Sequence, residues 1–180
     1  MNGIPTNLAR LSRVMAWLST AGFFITPAVL TYIFLEPDKS HWLMLNVDHM
    51  GDLLYGTIPP QYRMLALASA MIPAGFNMWA LWSLRRLFLL YAQGAVFSAG
   101  AMRALNAVAI ALFAGEIVSV FAQAPMSLAL TWANGPHHRE ICLSFGSEDV
   151  AALFMAGVVL VIARVMAEAR RMADENAAFV

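Results

Sequence analysis

Apolar residues occur in four long runs, separated by segments that hold most of the charged residues. The runs extend from about Val14 to Leu35, Met64 to Ser83, Ala104 to Ala124 and Val150 to Met166. About 20 helical residues cross a hydrocarbon core of roughly 30 Å, because each adds about 1.5 Å. No run alternates apolar with polar residues at period two, which disfavours strands. The pattern predicts an all-α integral membrane four-helix bundle.

Composition agrees with this interpretation. The 180 residues are 61% apolar and 12% charged, against about 45–50% and about 25% in soluble domains. Basic and acidic residues tie at 11 each, so no net charge favours nucleic acid as a partner. A single cysteine excludes an internal disulfide. We find no internal repeat and expect one domain over residues 1–180, surrounded by a lipid bilayer.

The first run is too long for a cleavable signal peptide. The run from Val14 to Leu35 is 22 residues long, which exceeds the about 7–15 residues of a signal h-region. We expect it to remain in the membrane as an anchor.

The distribution of arginine predicts the orientation. Eight of the eleven basic residues lie at the N-terminus, between runs two and three, and at the C-terminal end: Arg10, Arg13, Arg85, Arg86, Arg103, Arg164, Arg170 and Arg171. The other two loops are acidic. Because basic residues are retained in the cytoplasm, we expect both termini inside the bacterial inner membrane and both acidic loops outside.

Glu116 is the most unusual residue, because it lies near the middle of run three. A charge at that depth costs roughly 2.5–3.5 kcal/mol, so such a residue usually faces other helices. Thr26, Pro27, Pro73 and Gly157 lie at similar depth on the other runs. Glu116 could relay a proton or hold a cation or small ligand. Alternatively, a protonated Glu116 bonds a threonine hydroxyl or a carbonyl freed by proline and serves packing alone.

Asn77 is another strongly polar residue inside a run. Hydrogen bonding between helices explains it more simply than ligand binding. Small residues recur every four positions in runs two and three: Ala66, Ala70 and Ala74, and Ala107, Ala111, Gly115 and Ser119. Such stripes let helix backbones approach each other, and we expect them to pack inside the bundle.

All four histidines lie in the predicted outer loops. No run supplies an imidazole for haem, so we predict no haem. We also predict no other cofactor. A surface metal site is possible if the two loops meet, with ligands among His49, Asp52, His137, His138 and Glu140. The spacing matches no strong metal signature, and both clusters are also typical of solvated loops.

Local signals predict where helices begin and end. Gly94 should end the second helix, and Ser98 should cap the third. Ser147 should cap the fourth, before Glu148 and Asp149. The fourth helix should continue past Met166, with pairs at i,i+4 spacing: Arg164–Glu168, Arg170–Asp174 and Arg171–Glu175.

Several segments resemble a family of small bacterial membrane proteins catalogued as domain of unknown function 2975. They are Tyr91-Ala92-Gln93-Gly94 with Phe97-Ser98, the stretch Ile141 to Asp149, Ala163 to Met166, and Asp174-Glu175-Asn176. The resemblance implies four transmembrane helices and transfers no catalytic residue. Members are often encoded beside a helix-turn-helix regulator, which implies a regulatory or sensing role.

Three functions follow as hypotheses. The first is a non-enzymatic accessory or regulatory subunit that binds a membrane-protein partner or a second copy, because the sequence holds no known catalytic motif. The second is a small transporter or proton- or cation-coupled channel that uses Glu116. The third is a metal-binding accessory at the outer face.

Overall fold

The computed structural model describes residues 6–36, 58–132, 139, 141 and 143–177, apart from the side chains of residues 6, 173, 174, 176 and 177. It contains four long helices in chain order: α1 (Thr6–Leu35), α2 (Pro60–Ala92), α3 (Ala99–Thr131) and α4 (Ser147–Ala177). All four are long and apolar enough to cross a membrane. The all-α, four-helix prediction is confirmed.

Each helix extends beyond its apolar run. At about 1.5 Å per residue, 30 to 33 residues span about 45–50 Å. The apolar runs are the segments that are hydrophobic enough for the hydrocarbon core of a membrane. The helices are longer, because they continue through polar residues beyond these runs. As predicted, α2 continues past Ser83 and α4 past Met166.

Gly94 ends α2 as the sequence predicts. Its φ of 81° is a left-handed conformation that glycine adopts at no steric cost. The Ala95 N–H donates to the Leu90 carbonyl and the Gly94 N–H to the Tyr91 carbonyl, each at 3.0 Å. This is the Schellman pattern, which satisfies the last carbonyls of a helix.

The starts of α3 and α4 use different caps. The Ser98 hydroxyl accepts the Ala101 N–H at 3.1 Å, so the predicted cap of α3 is confirmed. The Ser147 cap of α4 is wrong in detail. Gly146 holds the cap position, because its carbonyl accepts the Val150 N–H, and the Asp149 carboxylate accepts the Gly146 N–H at 2.8 Å.

The helices divide into two compact units. The first comprises Met1–Phe23, Asn77–Ala114 and Ala152–Val180, and the second comprises Phe24–Phe76 and Gly115–Ala151. The core of the first includes Leu87, Ala101, Met102 and Ala104. The core of the second includes Phe34, Ala66, Ala129 and Leu130. Alanine therefore supplies about half of each core, which lets helix backbones pack closely.

Within the second unit, α2 and α3 approach each other closely at Gly115. A Cβ atom there would lie 3.1 Å from the Phe76 Cβ, tighter than ordinary van der Waals contact. Ala66 and Ala111 are fully buried and Ala74 is 5% exposed. The prediction that the small-residue stripes pack internally is therefore confirmed at these positions.

Gly157 differs from Gly115. A Cβ atom at Gly157 would meet Phe113 at 3.9 Å, an ordinary contact. The packing at Gly157 therefore leaves room for a Cβ atom and does not require glycine.

The charged end of α4 pairs differently from the prediction. Arg171 contacts Glu175 at 3.6 Å, as expected, and Glu168 at 2.6 Å. Glu168 thus bonds Arg171 in place of Arg164, because i,i+3 positions are also neighbours on a helix. The Arg170 guanidinium donates to the Phe97 carbonyl, in the turn between α2 and α3. The predicted partner of Arg170, Asp174, has its side chain outside the described residues.

Two glycine substitutions test the close approach. We expect Gly115→Ala to destabilise the protein by about 1–3 kcal/mol, because the Phe76 Cβ moves only with its helix. Gly75→Ala is the matched control, because nothing lies within 4 Å of its Cβ position. It should stabilise the protein by up to about 1 kcal/mol through helix propensity. Thermal unfolding in detergent measures both, and equal midpoints would contradict the close approach.

Candidate functional site

Glu116 lies at the middle of α3, seventeen residues after Ala99 and fifteen before Thr131. Gly115 holds this part of α3 against Phe76 of α2. The Ser119 hydroxyl donates to the Glu116 backbone carbonyl at 2.8 Å. Its position therefore places the carboxyl group halfway along a largely apolar helix.

The Glu116 side chain lies on the packed side of α3. At about 100° per residue it is about 20° from Ala109 and Ser127, both 0% exposed. It is about 100–140° from the exposed apolar residues Ile117 and Phe121. Glu116 is nevertheless only half-buried. The packed side of α3 thus leaves accessible space beside this carboxyl group.

The packing hypothesis for Glu116 requires a hydrogen bond to a threonine or a carbonyl freed by proline. Within the described part of the chain, the carboxyl group has no hydrogen-bond or ion-pair partner. Thr26 is half-buried on α1 in the same unit and makes interactions of its own. The structure does not join Glu116 to Thr26.

Asn77 lies at the middle of α2 and is exposed. It lies about 60° from the buried residues Ala74 and Ala80, and about 140–160° from the exposed apolar residues Ile72 and Trp79. Its accessible surface is therefore on the packed side of α2. The described residues include no hydrogen-bond partner for its amide, so the expected bond between helices is not present.

The metal hypothesis rests on residues outside the described part of the chain: His49, Asp52, His137, His138 and Glu140. Among the residues that the structure describes, no three histidine, cysteine or acidic side chains come close enough to hold a metal ion. The outer-face metal site stays a prediction.

Sequence reasoning missed several polar contacts. Gln123 accepts the Ser144 N–H at 2.9 Å, which ties the segment before α4 to α3. Arg63 donates to the Leu35 carbonyl at 3.0 Å and so caps α1. Gln123 closes the third apolar run and Arg63 precedes the second, so both were recognisable as polar boundary residues. The partners of Gln123 and Arg63 were not recognisable from the sequence, because they are distant in it.

Comparison with known proteins identifies a family and no activity. Residues 37–180 match the family described as "Protein of unknown function (DUF2975)". No curated protein and no solved structure matches the chain.

Cysteine substitutions test the accessible space beside Asn77 and Glu116. In a Cys142→Ala background and in membranes, we expect Asn77→Cys and Glu116→Cys to react with a water-soluble thiol reagent about tenfold faster than Trp79→Cys and Ile117→Cys. The reason is that the reactive thiolate forms in contact with water. Equal rates at all four positions would show that no such space exists.

Proposed function

The chain belongs to the DUF2975 family, which covers residues 37–180, and we propose its function from the placement of charge and polar groups along its helices. The family's activity is unknown, so the proposal rests on this chain's own residues.

We place the protein in the bacterial inner membrane with both termini in the cytoplasm. All eight arginines of the charge argument lie in the first unit, which has three acidic residues among those described: Glu168, Asp174 and Glu175. Eight positive less three negative charges leave +5. In the described part of the second unit, two arginines stand against four acidic residues. Because basic residues are retained in the cytoplasm, this charge distribution favours a cytoplasmic location for the helix ends that carry these eight arginines.

The proposed activity is binding of a proton or small cation by Glu116 at mid-membrane, in a small transporter or channel. One observation carries it: the carboxyl group is partly accessible on the packed side of α3 and has no protein partner among the described residues. In the membrane such a group is costly unless a proton, a cation or water compensates it. The sequence holds no known catalytic motif, so the proposal includes no enzymatic step. Transport also requires a water path or a second copy, because four helices are too few for an obvious pore.

A second candidate is the accessory or regulatory subunit. It is supported by the contact between Arg170 of α4 and the Phe97 carbonyl. This bond joins the end of α4 to the α2–α3 turn, and the same unit carries the exposed residues Arg86, Arg103 and Arg171. Exposed basic residues of this kind suit a partner membrane protein or a second copy. Glu116→Gln separates the candidates, because an accessory role does not depend on that carboxyl group.

Flux measurements test the Glu116 proposal. Purified protein in liposomes should pass protons or a monovalent cation down an imposed gradient faster than empty liposomes. We expect Glu116→Gln to lower this flux at least about tenfold, because the amide cannot exchange a proton or neutralise a cation. Glu148→Gln, at the start of α4, is the control and should retain the flux. A wild-type flux equal to that of empty liposomes, or an unchanged Glu116→Gln flux, would reject the proposal.

A further inference from the structure

A groove lies between α1 and α2 in the first unit. Its volume is about 350 Å³, and it is lined by Arg13, Ala16, Trp17 and Thr20 of α1 and by Arg85 and Leu89 of α2. We propose that this groove binds an anionic phospholipid, with the headgroup phosphate between Arg13 and Arg85 and an acyl chain along the apolar wall. Neither the proton or cation activity nor the accessory role depends on it.

The two arginines lie at the same level of antiparallel helices. Arg13 is seven residues after Thr6, and Arg85 is seven residues before Ala92, so each is about 10 Å from its helix end. Helices of about 45–50 Å exceed a hydrocarbon core of about 30 Å by roughly 8–10 Å at each end. The guanidinium groups therefore reach the level at which lipid phosphates lie in the proposed orientation.

Contacts between the two helices position the groove. Phe23 and Trp82 rings lie 5.6 Å apart, and a Cβ atom at Gly22 would lie 3.3 Å from the Leu81 side chain. The Arg85 guanidinium carbon lies 5.0 Å from the Trp82 ring centre. Stacking on an aromatic ring orients a guanidinium and leaves its edge N–H groups free to donate.

Both arginines retain donors for a phosphate. Arg13 uses its Nε–H for the Ala9 carbonyl at 3.4 Å, which leaves the terminal nitrogens. Neither arginine forms an ion pair with any described residue. The acidic residues described in this unit all lie near the end of α4, from Glu168 onward. The groove is therefore positively charged, and two guanidinium groups suit bidentate contacts with phosphate oxygens.

The wall of the groove favours a lipid over a free phosphate ion. Trp17 is 75% exposed, and tryptophan is enriched at membrane–water interfaces. Ala16, Leu89 and the Trp17 ring present apolar surface directly beside the arginines. A ligand with a phosphate and a hydrocarbon chain satisfies both parts of the groove.

Lipid binding to the purified full-length protein tests the proposal. Protein in zwitterionic phosphatidylcholine nanodiscs is titrated with phosphatidylglycerol, and bound lipid is counted by native mass spectrometry. We expect the Arg13→Gln, Arg85→Gln double variant to bind phosphatidylglycerol about 30-fold more weakly, at about 1 kcal/mol for each arginine. The matched control is Arg10→Gln, Arg86→Gln, which removes equal charge from exposed residues outside the groove and should bind like wild type.

Each other outcome has a defined meaning. Equal weakening in both double variants would overturn the site in favour of diffuse attraction between arginines and anionic lipid. Inorganic phosphate that competes as well as phosphatidylglycerol would overturn the choice of a lipid. Unfolding midpoints in phosphatidylcholine alone should match wild type. If the groove double variant unfolds early, each single variant is titrated instead, with an expected loss of about fivefold, and wild-type binding by both would contradict the proposal.

Discussion

The structure depends on helices whose backbone hydrogen bonds are satisfied within each segment. In hydrocarbon no water is available to replace a missing bond, so only such helices can cross as separate segments. Three of the four described helices contain a proline, which removes one of these bonds and frees one carbonyl in each. The end of α2 at Gly94 and the starts of α3 at Ser98 and of α4 at Gly146 carry explicit caps. Most backbone polarity is thereby removed from the apolar segments. Polar side chains halfway along the helices must then be explained by what they contact.

Alanine and glycine make the packing of these helices close but incomplete. Small residues bring α2 and α3 together at Gly115, where dispersion supplies the attraction. Alanine and glycine side chains fill less of the space between helices than bulky side chains would. Asn77 and Glu116 each retain accessible surface on the packed side of their own helix. In the proposed function, the accessible space beside Glu116 admits water and a cation to a carboxyl group that lipid could not solvate.

Sequence periodicity and caps predicted the helices well because both are local. Gly94 and Ser98 act on atoms within five residues, so their roles follow from the chain alone. Contacts between helices depend on which sides meet, and one sequence does not specify this. The structure was therefore needed to show three features. They are the accessibility of Asn77, the stacking of Arg85 on Trp82, and the bond from Arg170 to Phe97, which are 73 residues apart. Glu116 was recognisable from its depth alone, whereas its lack of a partner among the residues that the structure describes was not.

Topology is the most direct test, because every proposed role assumes four membrane crossings with the arginine-rich helix ends inside. Single cysteines at Leu143 and Glu175, in a Cys142→Ala background, are exposed positions on either side of α4's apolar region. A membrane-impermeant maleimide applied to cells whose inner membrane is intact should label position 143. It should label position 175 only after that membrane is permeabilised. Labelling of position 175 in cells with an intact inner membrane would contradict the account.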